Sequence, residues 1–205
     1  MNPKSKQLDT YEKERRNKII SWSKCNDNPK SVILDMGSYG DTSFCIPLDK
    51  TLKENLSGKV IGIDYKPGEF VDKVHNLNEY PYPFKNEYAD IIVAGEIIEH
   101  LTEPYQFLTE CYRLLKKGGI LIITTPNMTS LIYLLQRMKC DSGKYGHCYS
   151  WDISLFNRLL SRTNFKLINY ELTNTLKGNL KYLPINLLLT IFPVLKMQMF
   201  YVLQK

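Results

Sequence analysis

The sequence lacks an apolar run long enough to cross a membrane. Its longest apolar stretch, Leu187–Leu195, is interrupted by Thr190 and Pro193, and it is far shorter than the ~20 residues that span a bilayer. The first 16 residues also lack the hydrophobic segment of a secretory signal. We therefore expect a cytoplasmic protein without a transmembrane segment.

Paired cysteines and the usual dinucleotide fingerprint are also missing. The five cysteines are odd in number and form no C-x-x-C pair, which favours reduced thiols in the cytosol over a disulfide framework. No G-x-G-x-x-G run follows the first predicted strand, so a nicotinamide-dependent oxidoreductase is disfavoured.

Acidic residues are scarce at both ends of the chain. The chain has 205 residues and a formal net charge of +6; residues 1–30 carry eight Lys/Arg against four Asp/Glu, and residues 158–205 carry seven against one. The centre, residues 31–157, carries twelve against sixteen. The basic ends are either solvated surface or a contact for an anionic partner such as RNA, a phosphorylated sugar carrier or a membrane face.

The sequence does contain a regular alternation of strand and helix patterns. Short apolar runs predict strands or extended stretches at 31–35, 60–64, 71–75, 89–94, 120–125, 165–173 and 197–203. Helices are predicted at 9–25, 41–56, 103–116 and 152–163, with Thr102 as the cap of the third helix and Gly118 at its end. This alternation indicates a doubly wound α/β fold, with helices on both faces of a mostly parallel sheet.

The chain divides into an N-terminal helical extension, residues 1–30, and one α/β domain, residues 31–205. Residues 176–196 form an insertion before the last strand that combines apolar side chains with Lys177, Lys181 and Lys196 and contains no acidic residue. Such a run packs on its own domain, forms a hydrophobic lid, or makes a peripheral contact with an anionic membrane.

The ends of the first two predicted strands carry residues typical of nucleotide binding. The first strand continues into D-M-G-S-Y-G-D (35–41), and the second ends in Asp64. Gly37 and Gly40 permit a tight turn and a close approach of backbone N–H groups to a ligand. Asp64 is placed to accept both hydroxyls of a ribose. NAD and S-adenosylmethionine (SAM) binders share both features, so these residues alone do not discriminate.

Further motifs separate the two classes. They are H-N-L-N-E (75–79), G-E-I-I-E-H-L (95–101), L-K-K-G-G (115–119) and T-T-P-N (124–127). In this order and spacing, residues 31–173 resemble the class I SAM-dependent methyltransferases of type 11/23. The resemblance implies a Rossmann-like sheet of seven strands with an antiparallel last strand, and SAM as the cofactor.

The resemblance also implies a role for each matching residue. The cofactor-binding residues would be Asp35, Gly37 and Gly40 at the methionine end of SAM, Asp64 at the ribose, Asn76 and Leu77 at the adenine, and Glu96 beside the methionine. The chain departs from the family's D-x-G-x-G-x-G turn, because Tyr39 replaces the middle glycine and Asp41 stands where the last one is expected.

A second group of motifs indicates the acceptor side of the site. Glu96, Glu99 and His100 follow one another at helical spacing, and His147-x-x-x-Trp151 comes later. Together they resemble the small-RNA 3′-end 2′-O-methyltransferases, and the E-x-x-E-H part also resembles ubiquinone-pathway O-methyltransferases. The former resemblance implies a divalent metal, Mg²⁺ or Mn²⁺, held by Glu96, Glu99, His100 and His147. Without a metal, His147 or His100 is the expected catalytic base.

These observations predict a SAM-dependent methyltransferase, an enzyme that methylates a hydroxyl of a small molecule, a glycan or a lipid-linked intermediate. The first alternative is RNA 2′-O-methylation with a divalent metal, which the basic ends of the chain also favour. The second alternative is a non-catalytic binding module of the same fold, which the altered glycine turn at Tyr39 favours.

Overall fold

A computed structural model of the chain describes residues 3–39, 48–131, 133–134, 146–173 and 183–205. Gly40, Asp41 and the first part of the helix predicted over 41–56 lie outside these ranges, as does the beginning of the insertion predicted over 176–196. The side chains of residues 3–12 and 183–186 are likewise outside the description.

Within these ranges, seven strands form one mixed sheet. They are β1 (Val32–Met36), β2 (Lys59–Asp64), β3 (Lys73–Val74), β4 (Ala89–Gly95), β5 (Leu115–Pro126), β6 (Lys166–Thr173) and β7 (Gln198–Gln204). Their order across the sheet is β3-β2-β1-β4-β5-β7-β6. The first five strands pair in parallel, and β7 lies antiparallel between β5 and β6. The predicted doubly wound α/β fold with an antiparallel last strand is therefore confirmed.

Helices and two short 3₁₀ turns surround this sheet. They are α1 (Pro3–Lys24), α2 (Leu48–Asn55), α3 (Pro104–Leu114), α4 (Ile153–Leu160) and α5 (Leu183–Ile191), with 3₁₀ turns at Ile98–His100 and Pro193–Leu195. None of the helices in the described ranges combines the length and the apolar character that crossing a membrane requires.

The inner strands β1, β2, β4, β5 and β7 are largely buried and mostly apolar because both faces of the sheet are covered there, whereas the edge strands β3 and β6 are mostly exposed or half-buried. Successive strand residues point to opposite faces: Ile33 belongs to an apolar cluster with Ile19 of α1 and Leu52 of α2. Leu34 belongs to a second cluster that includes Phe107 of α3. Helix α1 thus contributes to the apolar core on one face, while the division of the chain at residue 30 stays a prediction.

Helix α3 is shorter than its sequence pattern predicts. It begins at Pro104 and ends at Leu114, and Glu103 occupies its cap position without a side-chain hydrogen bond. The prediction that Thr102 caps this helix is wrong. The N–H and the hydroxyl of Thr102 both donate to Asn78 Oδ1 instead, at 2.9 and 3.0 Å.

The lysine and glycine residues after α3 belong to the sheet rather than to the helix end. Strand β5 starts at Leu115, and its register with β4 shifts between the pairs made by Ala89 and Ile91. Gly118 has a φ of 79° and donates its N–H to the carbonyl of Lys205 at 3.0 Å. Pairing with the end of the chain therefore overrides the local helix-ending signal.

Parallel strands bring the residues of the predicted site to one edge of the sheet. The connection between β2 and β3 (residues 65–72) contains turns and bends but no helix, as its length predicts. Strands β1, β2, β4 and β5 all run toward the same edge, where they end at Met36, Asp64, Gly95 and Pro126. We call this the carboxyl edge; in open α/β sheets it is where ligands bind.

Candidate active site

The turn after β1 is held tightly against β2. Gly37 has a φ of 87°, a backbone conformation that favours glycine. The N–H groups of Gly37 and Ser38 both donate to the carbonyl of Ile63, at 2.8 and 3.1 Å. A methyl group at Gly37 would lie 3.0 Å from the side chain of Ile97. Both the backbone and the surroundings therefore require glycine at this position.

Substitution of this glycine is expected to destabilise the fold. We expect Gly37→Ala to lower the free energy of unfolding by about 2–3 kcal/mol, from left-handed backbone strain plus crowding against Ile97. Gly118→Ala is the matched control, since Gly118 also has a positive φ but an added methyl group would meet nothing within 4 Å. It should cost only about 1–2 kcal/mol. Urea denaturation measures both, and equal losses would contradict the crowding argument.

Asp64 at the end of β2 is buried and organises the neighbouring loops. Its carboxylate accepts the N–H of Tyr39 through Oδ2 and the N–H of Lys66 through Oδ1, both at 3.2 Å. The Tyr39 side chain is 43% exposed, and its ring lies against Gly68, where a methyl group would be 3.1 Å away. Lys66 Nζ is 5.7 Å from the centre of the same ring. Tyr39 therefore packs on the connection after β2.

The loop predicted to meet the adenine is closed by its own side chains. Asn76 Oδ1 accepts the N–H of Asn78 at 3.1 Å, and its Nδ2 donates to Glu79 Oε1 at 3.1 Å. Leu77 is buried, and its carbonyl accepts the Tyr82 hydroxyl at 2.8 Å. Because an amide oxygen has two lone pairs, Asn76 can still accept a hydrogen bond from an adenine amino group.

Glu96 follows β4 in an unusual backbone conformation. Its φ of 56° is left-handed, and its N–H donates to the carbonyl of Thr124 at 2.9 Å. Its Oε1 accepts Gln198 Nε2 at 2.8 Å. Contact with Gln198 of β7 therefore fixes the Glu96 carboxylate beside the carboxyl edge.

Three of the four predicted metal ligands lie together. One ligand atom each from Glu99, His100 and His147 falls within 4.8 Å of the others, and Glu96 is outside this group. The two imidazole rings meet edge to face, with centres 4.7 Å apart. The carbonyl of Glu99 accepts the N–H groups of Cys148 and Tyr149, at 2.8 and 3.1 Å. These backbone bonds hold the later histidine segment against the 3₁₀ turn after β4.

Burial shifts the pKa values of Glu99 and His147 in the directions that favour the neutral form of each group. Desolvation and then the nearby Glu96 carboxylate raise the pKa of Glu99. Desolvation and then His100 lower the pKa of His147. Glu99 Oε2 accepts the Thr125 hydroxyl at 2.9 Å, whereas its Oε1 is buried without a hydrogen-bond partner. One carboxylate oxygen and two imidazoles form a donor set that fits Mn²⁺, Co²⁺ or Zn²⁺ as well as Mg²⁺.

Several buried polar atoms along the carboxyl edge have no hydrogen-bond partner among the described residues. They are Asp35 Oδ2, Ser38 Oγ, Glu99 Oε1 and Thr124 Oγ1. Leaving such a group buried and unpaired costs about 1–3 kcal/mol. These atoms are covered by the protein itself, so they give the region beneath the edge a polar interior.

Sequence reasoning missed two residues of this site, Arg15 and Thr124. Arg15 of α1 is buried, and one of its guanidinium nitrogens would lie 2.9 Å from a methyl group built on Gly95. Arg15 precedes the buried Ile19 by four residues, which places both on one helix face, and this spacing was the available signal. Thr124 belongs to a motif that the sequence displays, but its buried hydroxyl depends on the packing of β5.

Asp35 is a buried carboxyl group in β1, near the centre of the edge. Burial, and then the Asp49 carboxylate, raise the pKa of Asp35 from 3.8 to about 8, while the Arg15 and Lys53 charges partly offset the rise. Between these two pH values the folded protein keeps a proton that the unfolded chain has released. The stability that protonated Asp35 contributes is therefore complete at low pH and is lost as the pH rises toward 8.

The pH dependence of Asp35→Asn tests this assignment. The amide cannot ionise, so we expect the variant to be more stable than the wild type near pH 8, by on the order of a few kcal/mol, with the difference vanishing near pH 4. Urea denaturation across this range, without cofactor, measures it. Parallel pH profiles for the two proteins would contradict the raised pKa.

The chain is similar to a known protein family and to solved structures. A family model described as "Methyltransferase domain" matches residues 11–170 of the chain. Among solved structures, a small RNA methyltransferase superposes with a TM-score of 0.64 at 18% sequence identity, covering 95% of this chain and 25% of that chain. At this identity the likeness concerns the fold.

Curated relatives match over shorter segments. A probable S-adenosylmethionine-dependent methyltransferase of Mycolicibacterium smegmatis is 36% identical over 83 residues, covering 36% of this chain and 32% of that protein. A ubiquinone biosynthesis O-methyltransferase of Maricaulis maris is 31% identical over 86 residues, covering 42% of this chain and 31% of that protein. The chain thus spans about a third of the length of these relatives.

Proposed function

The chain belongs to the methyltransferase-domain family of class I SAM-dependent methyltransferases, and from this premise we propose that it transfers the methyl group of SAM to a hydroxyl oxygen. The observation that carries the proposal is the group formed by Glu99, His100 and His147, whose ligand atoms lie within 4.8 Å of one another after β4. Asp64, the carboxylate expected to hold a ribose, ends β2 at the same edge of the sheet, so the edge offers polar partners for both a nucleoside and an acceptor.

On the cofactor side of the proposed site, carboxylates would attract the positive charge of SAM, and oxygen atoms would accept its hydrogen bonds. Asp64 would accept the ribose hydroxyls, and Asn76 with Leu77 would meet the adenine. Asp35 would lie at the methionine end of SAM, where a positively charged ligand favours its ionised form. Gly37, without a side chain, lets the turn after β1 approach the cofactor.

The acceptor side would bind and deprotonate a hydroxyl. SAM supplies an electrophilic methyl group on a positively charged sulfur, which leaves as a neutral thioether. An acceptor oxygen would bond to the methyl carbon as the carbon–sulfur bond breaks, and His147 would accept the hydroxyl proton, since desolvation and His100 lower its pKa and so favour the neutral imidazole. Where a divalent cation binds, Glu99, His100 and His147 would hold it, and a bound cation lowers the pKa of a hydroxyl.

The names of relatives support an oxygen acceptor. The Maricaulis maris protein is a ubiquinone biosynthesis O-methyltransferase, so a phenolic hydroxyl is the first acceptor to test. Small molecules, glycans and lipid-linked intermediates all offer hydroxyls to such a site.

RNA 2′-O-methylation is the second candidate. The Glu99, His100 and His147 group favours it, because a cation held there can orient two neighbouring ribose hydroxyls. The basic ends of the chain would add attraction to phosphates.

One assay compares these acceptors directly. Radiolabelled SAM is incubated with a phenolic acceptor, a prenylated phenol, a glycan and RNA bearing free 3′-terminal hydroxyls, each with EDTA or with Mn²⁺. We expect label on the phenolic acceptors. Label on RNA alone, dependent on Mn²⁺, would establish the second candidate instead.

Calorimetric titration with S-adenosylhomocysteine separates an enzyme from a non-catalytic binding module. We expect binding with one site per chain. Absence of binding, in a protein whose folding is verified by circular dichroism, would overturn the proposed methyl transfer and favour the module.

A further inference from the structure

Gln198 lies at the start of β7, where that strand meets the carboxyl edge. Because β7 runs antiparallel to β5, Gln198 pairs with Pro126, the last residue of β5. On its other side it pairs with Thr173, the last residue of β6. Gln198 is fully buried. A buried amide needs partners for both its oxygen and its nitrogen, so the two contacts of this side chain indicate what it does.

The partners of the Gln198 amide fix its orientation. Its Oε1 accepts the hydroxyl of Thr173 at 3.2 Å, and its Nε2 donates to Glu96 Oε1 at 2.8 Å. A carboxylate only accepts hydrogen bonds, so it requires the nitrogen end of the amide. The N–H of Glu96 donates to the carbonyl of Thr124 in β5. The backbone of Glu96 is therefore attached to β5, and its carboxylate is attached to β7.

The possible cation ligands lie beside Glu96 but do not include it. Ligand atoms of Glu99, His100 and His147 lie within 4.8 Å of one another, and Glu96 is not a member of this group. Desolvation and then the Glu96 charge raise the pKa of Glu99, so the two carboxyl groups are near neighbours. The hydrogen bond from Gln198 therefore draws toward β7 a carboxylate that lies close to the group.

We propose that Gln198 is a positioning residue that holds Glu96 away from a bound cation. The cation then has three protein ligands, Glu99, His100 and His147, rather than the four that the sequence motifs imply. Three ligands leave a coordination position open for an acceptor. One carboxylate and two neutral imidazoles also leave a divalent cation with a net positive charge, which favours the ionised form of an acceptor hydroxyl. The inference deepens the proposed function and rests on its cation site.

Titration of the full chain with Mn²⁺, followed by electron paramagnetic resonance without SAM or acceptor, tests this ligand set. We expect Glu96→Gln to bind Mn²⁺ within about threefold of the wild type and Glu99→Gln to bind it about tenfold or more weakly. Gln198→Leu should bind Mn²⁺ about tenfold more tightly, because the released Glu96 carboxylate can join the group. Combining Glu96→Gln with Gln198→Leu should abolish this gain.

Two further variants make the Gln198 result specific. Gln204→Leu removes the amide at the other end of β7, where it donates to the carbonyl of Gly118, and it should bind Mn²⁺ like the wild type. Thr173→Val removes the hydroxyl that orients Gln198 and should also tighten binding. It takes the place of Gln198→Leu if circular dichroism shows that the latter does not fold.

Three results would overturn the proposal. Glu96→Gln that binds Mn²⁺ as weakly as Glu99→Gln would make Glu96 a ligand. Gln198→Leu, or Thr173→Val in its place, that binds Mn²⁺ no more tightly than the wild type would contradict the positioning role. A wild type that binds no Mn²⁺ would remove the cation site itself. Titration of the same wild type with S-adenosylhomocysteine tests the proposed methyl transfer separately, so the two failures are distinguishable.

Discussion

Replacing Asp64 by alanine is expected to weaken the binding of S-adenosylhomocysteine by about a hundredfold or more. The proposed role of this carboxylate is to accept two ribose hydroxyls, and a hydrogen bond to a charged group contributes about 1.5–3 kcal/mol. Its present bonds to the N–H groups of Tyr39 and Lys66 are long, at 3.2 Å, so a ligand can compete for its oxygens. Calorimetric titration measures the loss.

Two further variants make the Asp64 result specific. Asp64→Asn keeps one acceptor oxygen and should bind better than the alanine variant. Glu69→Gln removes the same charge from the exposed part of the same connection and should bind like the wild type. If Asp64→Ala binds as tightly as the Glu69 variant, the ribose does not meet Asp64 and the proposed cofactor site is wrong.

The fold was largely predictable from sequence because its inner strands are buried on both faces. Such strands produce short apolar runs, bounded by glycine or by charged residues, that need no knowledge of distant contacts. The match of the family model to residues 11–170 confirms the methyltransferase family that the motifs indicated. The end of α3 was mispredicted for the opposite reason. Gly118 is a common helix-ending residue, but here it pairs with Lys205, which is remote in sequence.

The candidate site was predictable in part. Spacing alone placed Glu99 and His100 together, but it could not bring His147 to them. That approach depends on the Glu99 carbonyl, which accepts the N–H groups of Cys148 and Tyr149. The left-handed backbone of Glu96 could not be predicted from the sequence either, because such a conformation is ordinarily predicted only at glycine. The cofactor and metal roles of these residues stay predictions.

Arg15 shows a different limit of sequence reasoning. Treating residues 1–30 as an extension separated this arginine from the site, although α1 packs on the sheet through Ile19 and Ile20. A cation buried beside Gly95 can attract a negatively charged ligand group or balance the carboxyl groups of Asp35 and Glu99. Its position therefore links the helix at the start of the chain to the chemistry at the carboxyl edge.

Substitution of His147 by alanine is expected to lower the turnover number by about a hundredfold to ten-thousandfold, the range over which a positioned base accelerates proton transfer. His147 lies against His100, with ring centres 4.7 Å apart, and desolvation and His100 lower its pKa, which favours the neutral imidazole. A neutral imidazole can accept a proton or bind a metal. Initial rates with saturating SAM and the best acceptor measure the effect. Affinity for S-adenosylhomocysteine should stay within about threefold of the wild type, because the defect concerns the acceptor.

The neighbouring thiol provides the matched control for His147. Cys148→Ser keeps a hydrogen-bond donor near the carbonyl of His100, which Cys148 Sγ contacts at 3.4 Å, and it should retain the wild-type rate. Titration with Mn²⁺, followed by electron paramagnetic resonance, then separates the two roles of the histidine. Metal binding that weakens about tenfold or more in both His147→Ala and Glu99→Gln indicates a ligand. An unchanged, metal-independent rate in the Glu99 variant indicates a base. A His147→Ala enzyme as fast as the Cys148 control would contradict both roles of His147, because the loss of the base or of a metal ligand must slow the reaction.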